Sequence, residues 1–257
     1  MEQFNVRKFL YENQSRFTNL SDAIWAVPEL HFEEVESCRL TKLAMEEAGF
    51  DVTDNAGGLP TALMGSFGSG KSIIAFVGEY DALPNLSQEA GISQFSPITK
   101  GGNGHGCGHN LLGAGAFAAA CAVKQYIEET DADATVRYYA CPAEEKLGNR
   151  KFDHHVRPIA PEVLMYGSTD VSDISWIKPT VQFGGATWAI GTAFHSWQVV
   201  AQGKSSLAHK GMLFTAEVLA KTAIECIENP LIIEKVKEDL VNRLSGESYL
   251  SLIPTEK

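Results

Sequence analysis

Three clusters of side chains that bind metals or move protons punctuate this chain, and two of them sit directly after short apolar runs. Ser72-Ile73-Ile74-Ala75-Phe76 leads into Val77-Gly78-Glu79-Tyr80-Asp81-Ala82-Leu83-Pro84, and Val136-Arg137-Tyr138-Tyr139-Ala140 leads into Cys141-Pro142-Ala143-Glu144-Glu145. Between them, Gly104-His105-Gly106-Cys107-Gly108-His109-Asn110 opens a segment rich in alanine. Short β-branched and aromatic runs bounded by turn residues read as strands. In an open α/β sheet, ligands collect outside the carboxyl ends of the strands. Clusters placed in this way can therefore supply one shared metal site.

The rest of the pattern supports an α/β sheet. Apolar residues at helical spacing run from Phe4 through Leu10, Phe17 and Leu20 to Trp25, which predicts a helix over 2–26, ended at Pro28. A second amphipathic helix is expected over 33–48, short strands over 50–53 and 61–67, and a stronger one over 72–77. The segment 111–129 reads as a helix whose Gly113, Gly115 and many alanines let it lie close to a sheet. Another strand is expected over 135–140, then strands at 163–166 and 187–190, and helices over 206–228 and 231–244. Strands alternating with helices predict a three-layer αβα domain with a mostly parallel, mixed sheet.

Composition narrows the class of partner. The chain has 257 residues and a formal charge of −11, with no basic stripe, which argues against a nucleic-acid surface. Five cysteines, an odd number at irregular spacing, give no disulfide framework and suggest a reducing compartment. Met1 to Phe17 lacks the apolar core of a secretion signal, and no run approaches the ~20 apolar residues of a membrane span. The expectation is a cytoplasmic protein that engages neither membrane nor nucleic acid.

Gly65-Ser66-Phe67-Gly68-Ser69-Gly70-Lys71-Ser72 fits the phosphate-loop pattern letter for letter. That mechanism needs a helix directly after the Lys-Ser, whose N-terminus holds the phosphates. Ile73-Ile74-Ala75-Phe76-Val77 is a strand pattern instead, so the glycines are expected to form a hairpin between two strands.

The clusters themselves point to metal chemistry. Cys107 and His109 diverge on a helix, so both reach one ion only from a loop or a helix start, and the flanking glycines permit such a backbone. Thiolate with imidazole suits zinc, with manganese or cobalt as further candidates. At a strand end, one carboxylate of Glu144-Glu145 can bind the metal while the other takes a proton from water. Asp81 can orient a ligating imidazole. His195 can complete the ligand set, with His209 as its substitute. His105 is a candidate supporting group, and His31 reads as structural.

Taken together, Trp25-Ala26-Val27-Pro28-Glu29-Leu30-His31-Phe32-Glu33-Glu34, the three clusters, Gly167-Ser168-Thr169-Asp170-Val171-Ser172-Asp173, Phe194-His195-Ser196-Trp197-Gln198 and Gly203-Lys204-Ser205-Ser206-Leu207-Ala208-His209-Lys210-Gly211-Met212 resemble the M20 metallopeptidase family in its amidohydrolase branch. The resemblance runs in order along almost the whole chain. It implies a zinc-exopeptidase-like catalytic domain that binds one or two divalent ions, with Cys107, His109, Glu145 and His195 as ligands. It also implies Glu144 as general base and Asp81 as the residue that orients the site. The implied reaction is hydrolysis of an amide bond in an N-acyl amino acid or dipeptide-like small molecule.

The chain departs from the family pattern in one place. Family members carry a lid domain between the Glu-Glu and Gly-Ser-Thr-Asp motifs, whereas here only 146–166 lies between them, too short for a domain. A single catalytic domain over 1–257 is therefore expected, either monomeric or paired through a surface other than the lid. The helix and strand that follow Glu-Glu in the family's catalytic domain are missing as well, and with them a further histidine ligand, for which His154 and His155 are the candidate replacements. The competing expectation is a lidless relic, a regulatory or binding domain that keeps part of the metal site without turnover.

Overall fold

The computed structural model describes residues 4–147 and 171–250. Two helices, α1 (Val6–Glu12) and α2 (Gln14–Trp25), replace the one expected at the start. They part at Asn13, whose backbone N–H and side-chain amide both donate to the Phe9 carbonyl, at 3.1 and 2.9 Å. An asparagine side chain that competes for a helical carbonyl favours such a break. The next elements are α3 (Val35–Glu47), β1 (Asp51–Asp54), β2 (Leu63–Phe67), β3 (Ser72–Glu79), α4 (His109–Thr130) and β4 (Ala134–Cys141). After the second described stretch begins come α5 (Val171–Ile177), α6 (Trp197–Gln202), α7 (Ser206–Glu228) and α8 (Pro230–Leu244).

The four described strands form one mixed sheet in the order β1-β2-β4-β3. β3 pairs with β4 in parallel, while β1 with β2 and β2 with β4 are antiparallel. The α/β class is as expected, but the parallel majority is absent among the described strands. The predicted hairpin between β2 and β3 is also absent, because β4 lies between them. The glycine turn instead passes over the start of β4, where a β-carbon on Gly70 would sit 2.0 Å from the Ala134 amide nitrogen. Those glycines serve a close backbone crossing, and no helix follows Lys71.

Alternation along the strands sorts the two faces of the sheet. Gly65, Phe76 and Tyr138 point to one face, where the Tyr138 hydroxyl donates to the Gly113 carbonyl of α4 and a β-carbon on Gly65 would meet Met45 of α3. Among the described helices, α3 and α4 pack extensively on strands, and both do so on this face. α2 and α7 pack behind α4. The opposite face carries Ile73, 52% exposed, and the exposed Ala75, so the described residues do not display the expected third layer.

α4 is buried nearly all round, as a helix apolar on every side must be. Phe117 anchors it against Phe17 of α2 and Tyr138 of β4. The segment 187–190 is irregular rather than a strand. Its Ala189 N–H donates to the Gln202 side chain, and Ile190 is fully exposed, so no alternating buried face exists there. The expected strand 163–166 and the shortened segment 146–166 from 148 onward lie outside the described residues.

Candidate metal centre

The site forms where β3 and β4 end side by side and α4 begins. Parallel register sets Glu79, the last residue of β3, opposite Cys141, the last of β4. The chain then turns through Pro142 and Ala143, the latter at φ +66°, into a single 3-10 turn that carries Glu144 and Glu145. Gly108, at φ +80°, caps α4 in the left-handed region that glycine enters without strain. That cap lets Cys107 and His109 face the same centre although they lie two residues apart.

His109 is the hub. Its Nδ1 hydrogen-bonds the Asp81 carboxylate at 2.9 Å and lies 3.0 Å from the Asp81 carbonyl. The Asp81 oxygens accept only, so Nδ1 carries the proton and Nε2 faces the centre as the ligating nitrogen once the ring is neutral. Nε2 lies 3.4 Å from Glu79, 3.7 Å from Glu144 and 4.0 Å from Glu145. The second Asp81 oxygen accepts the Glu145 backbone N–H at 2.8 Å, so one buried carboxylate positions two candidate ligands. Burial pushes Asp81 upward, but the hydrogen bond and charge of His109 outweigh it and hold Asp81 below its ordinary value. Burial likewise pushes the His109 imidazolium down, yet Asp81, Cys107 and Glu79 together hold it well above the usual histidine value. Burial raises the Cys107 thiol.

Two groups of donors converge. Cys107, Glu145 and His195 offer ligand atoms within 4.8 Å of one another, and so do Glu79, His109 and Glu144. His195 reaches the first group from the irregular segment before α6. It sits at φ +53°, with its N–H donated to the Gly106 carbonyl at 3.0 Å and its Nε2 3.5 Å from Glu145. Trp188 packs over Gly108 and edge-on against Phe194, which holds that segment against the start of α4.

The residues present fit a divalent cation. Thiolate, imidazole and carboxylate are the donor types of zinc and similar first-row ions. Oε1 of Glu145 is buried with no hydrogen-bond partner among the described residues and faces both histidines. An orphaned carboxylate oxygen is costly to bury, and a cation at that point would satisfy it.

The structure brings together Cys107, His109, Glu144, Glu145, His195 and Asp81. It places His209 elsewhere, with Nε2 2.9 Å from Asp22 on α2. His105 is buried behind the site, its Nε2 3.0 Å from the Ile24 carbonyl; burial and the nearby His109 charge push it down to about 4. His154 and His155 lie outside the described residues. Two acidic residues gain importance that sequence reasoning did not assign them. Glu79 precedes Asp81 by two residues, and that spacing in an extended chain was the available signal. Glu34 lies in a stretch that carries the family resemblance, but no role was assigned to it. It is fully buried, and its carboxylate accepts the Ala143 N–H at 2.8 Å and the Thr61 hydroxyl at 3.3 Å, fixing the turn that presents Glu144 and Glu145.

The chain is similar to known proteins over part of its length. The chain is 51% identical over 140 residues to one subunit of the p-aminobenzoyl-glutamate hydrolase of Escherichia coli (strain K12), a match covering 54% of this chain and 29% of that protein. It is 32% identical over 152 residues to the Xaa-Arg dipeptidase of Mus musculus, covering 54% of this chain and 31% of the relative. The chain thus spans about a third of the length of these curated relatives. A dinuclear metal-binding peptidase from the M20 family of Bacillus subtilis aligns in structure with a TM-score of 0.41 and 26% identity, over 51% of this chain and 36% of that one. The model of Peptidase family M20/M25/M40 matches residues 75–165, the stretch that carries the Glu79–Asp81, Cys107–His109 and Glu144–Glu145 motifs. Over that stretch the chain is similar to peptidase family M20/M25/M40.

Proposed function

We propose that this chain carries the hydrolytic centre of a metal-dependent amidohydrolase. Its substrates would be small N-acyl amino acids or dipeptide-like amides, p-aminobenzoyl-glutamate among them. The observation that carries the reading is the convergence of Cys107, His109, Glu144, Glu145 and His195, with Asp81 holding both His109 and the Glu145 backbone. The identity to the Escherichia coli hydrolase supports the choice of substrate class.

Cys107, His109, Glu145 and His195 would hold the ion, zinc being the best match to a donor set that includes a thiolate. When bound, such an ion supplies Lewis acidity toward the amide carbonyl and acidifies nearby water. Glu144 does the proton work. Its side chain is 11% exposed, against 7% for Glu145, and lies 3.7 Å from His109 Nε2. The Glu144 carboxylate accepts a proton as water attacks the amide carbon. It returns that proton to the leaving nitrogen as the C–N bond breaks, so a carboxylic acid and an amine result. Asp81 keeps the His109 ring in one tautomer throughout.

The test is hydrolysis of p-aminobenzoyl-glutamate and a panel of N-acyl amino acids by zinc-loaded protein, beside Glu144→Gln. Loss of general-base catalysis is worth about 10²–10⁴-fold in turnover. The variant should lose activity on that scale and keep its metal. Equal turnover by the two proteins would rule out the role of Glu144. A metal-loaded wild type inactive on every amide would favour a binding domain that retains the ion without turnover. The half-exposed His195, with 55% of its side chain open to solvent, is the observation on which that second reading rests.

A further inference from the structure

Aromatic side chains outside the core pair up in several places. Phe183 packs against Phe214 of α7, and Phe95 against Trp197 at the start of α6, with ring centroids 6.2 and 6.1 Å apart. Trp188 and Phe194 meet more closely, at 5.2 Å and an interplanar angle of 89°. This pair adjoins the turn that bears Cys107 and His109. Trp188 is half-buried on Gly108, where a β-carbon would stand 3.0 Å from its six-membered ring, and Phe194 directly precedes His195. Phe194 still leaves 66% of its surface open.

A single exposed phenylalanine needs no explanation. Phe194 differs because the backbone around it, although irregular, is braced on both sides. The Thr192 N–H donates to the Ala189 carbonyl at 3.1 Å, and the Gln202 amide donates to the Thr192 hydroxyl at 3.1 Å. The Ser196 hydroxyl donates to the Ala193 carbonyl at 2.6 Å, and the His195 N–H to the Gly106 carbonyl at 3.0 Å. An exposed ring is thus presented in a fixed place beside a candidate metal ligand. Small-molecule sites combine aromatic walls with a few polar groups that fix orientation. Here the donor cluster supplies the polar groups and the Trp188–Phe194 pair supplies a wall. A ring has an electron-rich face and an electropositive edge, so a third ring can add to the pair edge-on or offset.

We infer that Phe194, backed by Trp188, is a specificity-determining residue that contacts the acyl group of the substrate and favours an aromatic one, with its ring bonded directly to the amide carbonyl. This rests on the reading of the site as an amidohydrolase centre and deepens it on the acyl side. The attacked carbon belongs beside His195, and a ring bonded to that carbon comes within reach of the neighbouring residue. Such a ring turns about one bond only, so ordering it costs little entropy. A flexible alkyl group gains less from a flat aromatic surface.

The test is the affinity of the full chain, loaded with zinc, for benzoyl-glutamate and acetyl-glutamate. It is made in a Glu144→Gln background so that neither compound is consumed, with the zinc content of each variant measured. Calorimetry gives the ratio of the two affinities, and proton NMR follows the benzoyl ring. Aromatic contacts of this kind are worth about 2–10-fold in affinity beyond the area they bury. The ratio should favour benzoyl-glutamate. It should fall by that factor in Phe194→Leu, which keeps an apolar side chain without a ring, and recover in Phe194→Tyr. The benzoyl protons should shift upfield on binding and lose much of that shift in Phe194→Leu. An unchanged ratio in Phe194→Leu at equal zinc content would overturn the inference, as would a ratio that favours acetyl-glutamate or binding of neither compound. Loss of zinc in Phe194→Leu would make Phe194 a support for His195 and overturn it too. A benzoyl preference that depends on Phe194, in a protein that hydrolyses no amide with Glu144 in place, would uphold the aromatic contact and sink the proposed hydrolysis.

Discussion

At the scale of single residues, the site depends on charges that serve more than one partner. Asp81 accepts from His109 and from the Glu145 backbone at once, so it sets the direction of an imidazole and the position of a carboxylate. Asparagine keeps its shape but loses the charge, and its amide end cannot accept from either partner. Removing such a supporting group typically costs metal affinity about 10–100-fold. Asp81→Asn should therefore bind zinc more weakly by that order, measured by chelator competition, with the circular dichroism of the fold unchanged. Affinity equal to wild type would mean that His109 is oriented by the Asp81 backbone carbonyl instead. Cys107, His109, Glu144, Glu145 and Asp81 could be named as candidates from the sequence because their motifs are local. Glu34 was not legible, since its partner Ala143 is 109 positions away and no local pattern marks the pair.

At the scale of elements, the close approach of α4 to β3 sets the geometry of the centre. α4 supplies His109 and β3 supplies Glu79, and the two elements touch at Gly113. A β-carbon there would stand 2.5 Å from the Glu79 carbonyl oxygen. Overpacking a filled interior costs about 1–3 kcal/mol. Gly113→Ala should lose stability on that scale in urea denaturation, and should weaken metal binding as well, because the helix must withdraw from the strand that carries Glu79. A variant destabilised but with unaltered metal affinity would show that the helix start adjusts independently of its body. Small residues in this helix were readable as a sign of close packing. The partner strand and the point of contact were not, because they depend on which strand the helix crosses.

At the scale of the whole molecule, the described helices cover one face of the sheet and the candidate metal centre lies at the carboxyl ends of β3 and β4. The exposure of His195 leaves one side of the candidate metal cluster in contact with solvent. A site that excludes water poorly has fewer fixed dipoles around its substrate and distinguishes side chains weakly. A closed apolar pocket distinguishes one methylene by about 10–200-fold. Across N-acyl alanine, valine and leucine, kcat/KM should vary by less than that range, measured under identical metal loading. Sharp selection for one of them would mean that a segment of the chain closes over the centre when substrate binds.

What the sequence determined by itself follows from short-range chemistry. Strand and helix patterns, the failure of the phosphate-loop reading, and the candidate ligands all rest on residues within a few positions of one another. Tertiary structure decided what depends on contacts between distant segments. It inserted β4 between β2 and β3, so that the expected hairpin became a crossing over Ala134. It chose His195 over His209 for the cluster, because the backbone of His195 is tied to Gly106 while His209 is paired with Asp22. It also brought Glu79 beside His109, a meeting set by the parallel register of two strands and the landing of a helix on them. Periodicity within one segment reports how that segment is buried, but the pairing of segments is settled by the packing of all of them together.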